Sequence, residues 1–358
     1  MTSRERVLAA LNHKETDRLP FSLFMGINVP AKKELISFLN MSSMKELDQY
    51  LDSLCDLKQV LPAYCGPSDR NVKLQNGSYI DYWGVIRTPI SYGTGYYDEI
   101  SHCPLANVRD IKDLDNIRWP DSKWFDYNSI INKINIINHD EERAIITANG
   151  NIFERSWYMR GFEQLLMDLV LEPELAWEIM NRVTDFLISY FKGILEQAKG
   201  KIDLVFTADD LGHQEGLIIS PDLWEQMIKP HHVRMNKVLH EYGVKIMYHT
   251  DGAIMPIVPG LIDMGIDILE PLQFDAKGMD PVALKNLYGN RLCFHGGVSV
   301  QKTLPFGTPE QVRNEVRERI KVLGKNGGYI LSSSHAVQAN TPPENIMAFL
   351  EESHLVHS

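Results

Sequence analysis

The sequence predicts an α/β protein built as a (β/α)8 TIM barrel, with an N-terminal helical segment and a β-hairpin excursion. Three observations lead there. Several short apolar runs end in ionisable residues: Phe206-Thr207-Ala208-Asp209-Asp210, Val244 to Met247 followed by Tyr248-His249-Thr250-Asp251-Gly252, Ile268-Leu269-Glu270, Cys293-Phe294-His295-Gly296, and Ile330 to His335. From residue 143 onward, strand-like and helix-like segments alternate to the end. Parallel neighbours need crossover connections of this length, and a closed parallel barrel gathers the carboxyl ends of its strands on one face. A doubly wound open sheet is the alternative, but no G-x-G-x-x-G follows the first strand and no phosphate-binding glycine loop occurs, so a nucleotide cofactor has no support.

The elements follow in order. Thr2-Ser3-Arg4-Glu5 has capping-box spacing ahead of Val7, Leu8 and Leu11, which predicts a short opening helix. Pro20 then starts Phe21-Ser22-Leu23-Phe24-Met25 as a first strand. Helices near 31 to 39 and 43 to 53 precede a second strand at Leu57 to Leu61. Residues 70 to 105 alternate Tyr, Ile, Val and Gly through Tyr79-Ile80-Asp81-Tyr82-Trp83-Gly84 and Tyr92-Gly93-Thr94-Gly95-Tyr96, a hairpin expected to cover one side of the barrel mouth.

The regular part begins with Ala144-Ile145-Ile146-Thr147 and a helix near 159 to 170. Pro173 opens a long helix whose Ile179, Val183, Phe186, Leu187, Tyr190, Ile194 and Leu195 share one face, with Gly200 as its cap. Further strands are expected at Leu204-Val205-Phe206, Lys245 to Tyr248, Ile266 to Leu269, Leu292-Cys293-Phe294 and Tyr329-Ile330-Leu331, with helices near 221 to 241, 254 to 264, 280 to 287 and 309 to 324. With the first two strands the count reaches eight.

Length and composition narrow the function. A barrel of 358 residues is read as one domain, 1–358, with the insertion near 70–105. A net charge of −11 argues against binding a phosphate backbone, which needs clustered Lys and Arg, so no nucleic-acid partner is expected. No apolar run approaches the roughly 20 residues of a membrane helix, and Met1 to Asn12 is charged rather than a signal peptide. No membrane partner and a cytoplasmic location are expected. Cys55, Cys65, Cys103 and Cys293 are scattered without a C-x-x-C pair, as reduced thiols would be.

His249 and Asp251 form an H-x-D pair leaving a strand, and alternate residues of an extended segment point the same way, so both can address one metal or one proton. The plainer reading has His249 hydrogen-bonded in the barrel wall and Asp251 capping the helix near Ala253. His335 follows the last strand and can face His249 across the mouth as a ligand or acid/base group, or simply bond loop backbone. Asp209 and Asp210 are adjacent, so only one can face the pocket; a salt bridge or turn is their bland role. Glu270 stands before Pro271, where a buried glutamate is costly unless paired. Tyr158 either points over the mouth or packs. His231 and His232 lie mid-helix without metalloprotease spacing and are read as structural. Asp209-Asp210-Leu211-Gly212-His213 lacks the aspartate a corrinoid-binding D-x-H-x-x-G needs.

Taken together, Arg4 to His13 with Asp17-Arg18-Leu19-Pro20, the Asp209-Asp210-Leu211-Gly212 turn, His249-Thr250-Asp251-Gly252, and Ser334-His335 with Thr341-Pro342-Pro343-Glu344-Asn345 resemble the uroporphyrinogen decarboxylase superfamily. That superfamily joins porphyrinogen decarboxylases to corrinoid-linked methyltransferases, all on (β/α)8 barrels. The decarboxylase grips substrate carboxylates with an arginine-bearing loop after its first strand, whereas Phe21 to Asn28 here holds no arginine, which favours the methyltransferase branch. The methylcobamide:coenzyme M enzymes of that branch bind zinc through H-x-C and a later cysteine. Here His249 keeps the histidine, Asp251 replaces the first cysteine, and His335 stands near the second.

The resemblance therefore implies zinc or another divalent metal on His249, Asp251 and His335, and a methyl group moved between a small methylated compound or thiol and a corrinoid supplied by a partner protein. Asp210, or Asp209 if the turn faces the other way, would orient substrate or transfer a proton, with Glu270 as support or replacement ligand. A metal-free decarboxylase using Asp210, Tyr158 and His335 is the runner-up, and a barrel that binds without turnover is a third reading. A homodimer is allowed for.

Overall fold

The computed structural model describes residues 1–91 and 96–355, apart from the Tyr96 side chain. Its centre is a curled sheet of seven parallel strands, in the order Leu57–Gln59, Ala144–Asn151, Leu204–Ala208, Lys245–His249, Ile268–Leu272, Cys293–Val298 and Tyr329–Ser333. Each strand pairs with the next in sequence, and helices carry the chain back between most of them. The architecture is TIM-like. Inside the curl, Leu57, Ala144, Leu204, Met247, Ile268, Cys293 and Ile330, one from each strand, pack together with Val7 and Leu11 of the opening helix. That helix, Ser3–Leu11, carries the expected capping box between Thr2 and Glu5.

The expected first strand at Phe21–Met25 is reduced to one residue. Phe21 makes a parallel bridge with Leu331, and the Ser22 N–H donates to the Leu331 carbonyl at 3.1 Å. On its other side the Asp56 N–H donates to the Phe21 carbonyl at 2.9 Å. The Asp56 carboxylate accepts the Phe21 N–H at 2.8 Å, so a side chain takes the donor that a longer ladder would use. Fully buried, Asp56 is also held by Arg6 and Arg18, each at 2.7 Å. The described sheet thus has seven strands where eight were expected.

Between the first two strands the chain makes its excursion, a four-stranded antiparallel sheet of Val72–Lys73, Tyr79–Ile80, Ile86–Ser91 and Tyr96–His102. The expected alternation at Tyr92-Gly93-Thr94-Gly95 lies outside the described residues.

Three boundaries differ from expectation for physical reasons. The helix expected near 159 to 170 begins earlier, as Phe153–Arg160, and resumes as Phe162–Leu171 after Gly161, whose φ of +96° no helix interior takes. The helix expected over 221 to 241 splits into Pro221–Met227 and Lys229–His240, since Pro230 has no N–H to continue the first segment. The strand expected at Ile266 to Leu269 starts at Ile268 and runs through Glu270 and Pro271 to Leu272, with an irregular register against its neighbour where proline cannot donate. The long helix Pro173–Ala198 buries its expected face, and Lys199, in the left-handed region, closes it just before Gly200. Among the described residues no helix is long and apolar enough to cross a membrane.

Candidate metal centre

His249 is the last residue of its strand and faces inward, two residues beyond the inward Met247. Its Nδ1 meets Glu270 Oε2 at 2.6 Å, from the adjacent strand and in direct register. Nε2 therefore faces the mouth, 3.4 Å from Asp210 Oδ1 and 3.7 Å from Asp251 Oδ1. His335 brings its Nε2 to 3.9 Å from Asp251 Oδ2, and the two imidazole rings stand 6.0 Å apart. One ligand atom from each of His249, Asp251 and His335 lies within 4.8 Å of the others.

The neighbouring charges are one-sided. Burial opposes a positive His249, but Glu270, Asp210 and Asp251 outweigh it and hold its pKa well above the ordinary imidazole value. Burial raises the Asp251 carboxyl despite the two imidazoles. For Asp210 burial acts upward, yet His249 and His335 win and lower it.

Asp251 is not a helix cap here. Gln273 donates to its Oδ1 at 2.9 Å while accepting the Gly252 N–H at 2.8 Å, which pins the carboxylate toward His249. Gly252 is required at that turn: its φ is +87°, and a Cβ would sit 2.6 Å from the His213 nitrogen. The Ser333 hydroxyl donates to the His335 carbonyl at 2.8 Å, and the half-buried imidazole projects beyond it.

The Asp209/Asp210 alternative is decided by direction. Asp209 is fully buried: Oδ1 accepts the N–H groups of Ile152 and Glu154 at 3.1 and 2.7 Å, and Oδ2 meets His232 Nε2 at 2.5 Å. Both oxygens are taken, so Asp209 does not line the mouth; it starts the helix Phe153–Arg160. Asp210, on the opposite side of the extended chain, does face His249.

Tyr158 packs half-buried against the core, and its hydroxyl in addition donates to Glu154, which also accepts from the Asn151 amide. Burial and then the charge of Asp210 raise the Glu154 carboxyl. Sequence reasoning missed Glu154, which falls in the connection ahead of the helix expected near 159 to 170; only the earlier start of that helix at Phe153 places it in a first turn beside Tyr158. It noted His295 at a strand end but gave it no role; the residue lies two positions along its strand from the inward Cys293. His295 is fully buried, its Nδ1 stands 3.8 Å from Glu270 Oε1, and burial pushes it down to about 4.

Residues 94–356 match the family model for uroporphyrinogen decarboxylase. The chain belongs to the uroporphyrinogen decarboxylase family. A methylated-thiol–coenzyme M methyltransferase of Methanosarcina mazei is 29% identical over 199 residues, which span 55% of this chain and 49% of that protein's own length. A uroporphyrinogen decarboxylase of Psychromonas ingrahamii is 20% identical over 292 residues, 75% of this chain and 76% of its own. A solved methyltransferase from Methanosarcina mazei superposes over 99% of this chain and 98% of its own with a TM-score of 0.68 at 17% identity, a likeness of fold.

Within this family member, the donor set fits a divalent cation. Three carboxylates, Asp210, Asp251 and Glu270, surround His249, and their mutual repulsion needs either a proton or a metal ion between them. The Glu270 contact leaves Nε2 as the atom that could coordinate a metal, the arrangement found behind metal-bound imidazoles. The metal-capable group found among the described residues contains no cysteine: the buried Cys293 lies against Ala10 and Leu11, and Cys55 sits against Leu51.

Proposed function

We propose that this protein is a metal-dependent methyltransferase that moves a methyl group between a small methylated compound or thiol and a corrinoid carried by a partner protein. The observation that carries the proposal is the convergence of His249 and Asp251, from one strand end, with His335 from another, their ligand atoms within 4.8 Å of one another. The higher identity to a methylated-thiol–coenzyme M methyltransferase supports the same branch. We take residues 1–358 as one domain in which the Phe21 segment closes an eight-stranded barrel, working in the cytoplasm, with a homodimer as the assembly to test.

In this reading His249, Asp251 and His335 hold zinc or another divalent ion. When bound, such an ion supplies a Lewis acid for a thiol or methylated heteroatom. Glu270 keeps a proton on His249 Nδ1 and so keeps Nε2 as a lone-pair donor. Gln273 fixes Asp251. Asp210, half-buried beside the ligands, orients the substrate or takes its proton. On one side of the pocket Phe24 and Phe206, with ring centroids 4.8 Å apart, limit water near His249.

Metal analysis of protein purified without chelators tests the proposal, alongside His249→Ala and His335→Ala. Near-stoichiometric metal in the wild type and its loss in both variants is the expected result; a metal-free wild type ends the idea. Screening methylated compounds with supplied cob(I)alamin for methylcobalamin formation then identifies the donor. A decarboxylase is the second reading, favoured by the longer alignment with uroporphyrinogen decarboxylases. It would rest on Asp210, Tyr158 and His335 and predicts activity unchanged by chelation.

A further inference from the structure

The barrel wall is loose at one seam. The curled sheet has Leu57–Gln59 at one edge and Tyr329–Ser333 at the other. The segment Phe21 to Asn28 runs between them but leans on the second edge and the loop after it. Phe21 bridges Leu331 and Ile27 bridges Val337, while the Asn28 N–H donates to the Val337 carbonyl at 2.9 Å and the Val337 N–H to the Gly26 carbonyl at 3.0 Å. Toward Leu57–Gln59, one backbone hydrogen bond crosses the seam among the described residues, from the Asp56 N–H to the Phe21 carbonyl. Beyond it the segment and the strand part around a cavity of about 340 Å³.

This slot spans the wall. Phe24 and Leu57, which line it, pack with the cluster inside the curl, whereas Leu51 and Cys55, which also line it, belong to the core outside the sheet. On the inner side Phe24 leads toward the candidate metal centre: its ring lies 4.8 Å from that of Phe206, which lies 5.7 Å from that of His249. On the outer side Lys32 pairs with Asp48 and Lys58 with Asp52, each at 2.7 Å. Both cations of the slot are thus answered within it. A charged solute entering there would lose water and find no free counter-charge, while an uncharged one avoids that cost.

We propose that the slot is a side entrance to the barrel, through which a small uncharged molecule passes the Phe24 ring to reach the His249 centre. The proposal rests on the functional reading above, in which a corrinoid on a partner protein has to meet the open mouth and so covers the direct way in. A second opening lets the small reactant exchange while the partner is docked. The paired lysines select for lack of charge, and Phe24 sets the size that passes.

Thiol labelling followed by peptide mass spectrometry tests the entrance without metal or corrinoid. Cys55 reports on the slot, and the exposed Cys65 is the internal reference. Burial raises the Cys55 thiol to about 11, which slows every reagent there alike, so ratios are read. Relative to Cys65, Cys55 should react about tenfold faster with uncharged methyl methanethiosulfonate than with its anionic sulfonatoethyl counterpart. Asp48→Trp, which sets a ring at the outer rim, should slow Cys55 about tenfold with the uncharged reagent, whereas Asp48→Asn, which frees Lys32, should speed the anionic one. Ser332→Cys places a thiol at a buried position two residues past the inward Ile330, and its labelling should slow in Asp48→Trp as well. A Cys55 that reacts only on unfolding, no preference for the uncharged reagent, or a Ser332→Cys thiol that is unreactive or indifferent to Asp48→Trp would overturn the entrance. Metal analysis decides the functional reading separately, so the two fail by different results.

Discussion

Glu270 and His249 face each other across adjacent parallel strands, in register and 2.6 Å apart, with Glu270 wholly removed from solvent. A carboxylate in that place has one imidazole to answer its charge, and its second oxygen stands 3.8 Å from another, His295. The pair fixes the ring of a strand-end histidine so that Nε2 faces Asp210 and Asp251.

Its removal gives the first prediction. Glu270→Gln keeps the shape and loses the charge, so zinc affinity measured by chelator competition should fall about 10–100-fold, the usual cost of losing the group behind a metal-bound imidazole. Unchanged affinity would mean that the contact does not serve a metal.

Adjacent aspartates should behave differently. Asp209→Ala leaves two backbone N–H groups and His232 without their buried partner, and is expected to cost about 3 kcal/mol or more in denaturant unfolding. Asp210→Asn should leave the unfolding midpoint near wild type while abolishing turnover. Equal stability of the two variants would contradict the geometry.

The turn after His249 gives a third outcome. Gly252→Ala forces a side chain into a left-handed φ of +87° with its Cβ 2.6 Å from the His213 nitrogen. A loss of about 1–3 kcal/mol is expected, together with weaker zinc binding because Asp251 moves with the turn. Stability and zinc affinity equal to wild type would refute it.

A pH effect away from the site is expected at His231. Burial pushes this histidine, whose ring lies tilted 4.3 Å from that of Trp177, down to about 3. The unfolded chain takes up the proton at the ordinary imidazole pKa near 6.5, so the contribution is complete above that pH and is lost as pH falls toward 3. The loss is about 1.4 kcal/mol per pH unit within this window. His231→Phe should flatten the fall in melting temperature between pH 6.5 and 5; an unaltered fall would exclude His231 as its source.

Much of the architecture was legible because it rests on local pattern. Apolar runs, the proline at Pro173 and the capping residue Thr2 mark strand and helix starts within a few residues. The errors fall where a distant group supplies the partner. Asp56 takes the N–H that would have extended the Phe21 strand, and Asp209 starts a helix from 55 positions away. At the mouth, His249, Asp251 and His335 were readable as strand-end residues. His295 was readable as a strand-end residue too, but its complete burial beside Glu270 was not, and Glu154 fell ahead of the expected helix, so only packing shows its place beside Tyr158 and Asp210.

By itself the sequence determined the repeating strand and helix pattern, its residue types at strand ends, and the absence of arginine in the stretch after Pro20, because each depends on neighbours within a few positions. Only the tertiary structure decided which of Asp209 and Asp210 faces His249, that Asp251 is held by Gln273, and that Arg87 and Arg155 share Asp81. Those outcomes depend on distances between side chains far apart along the chain, which packing sets and local propensity does not.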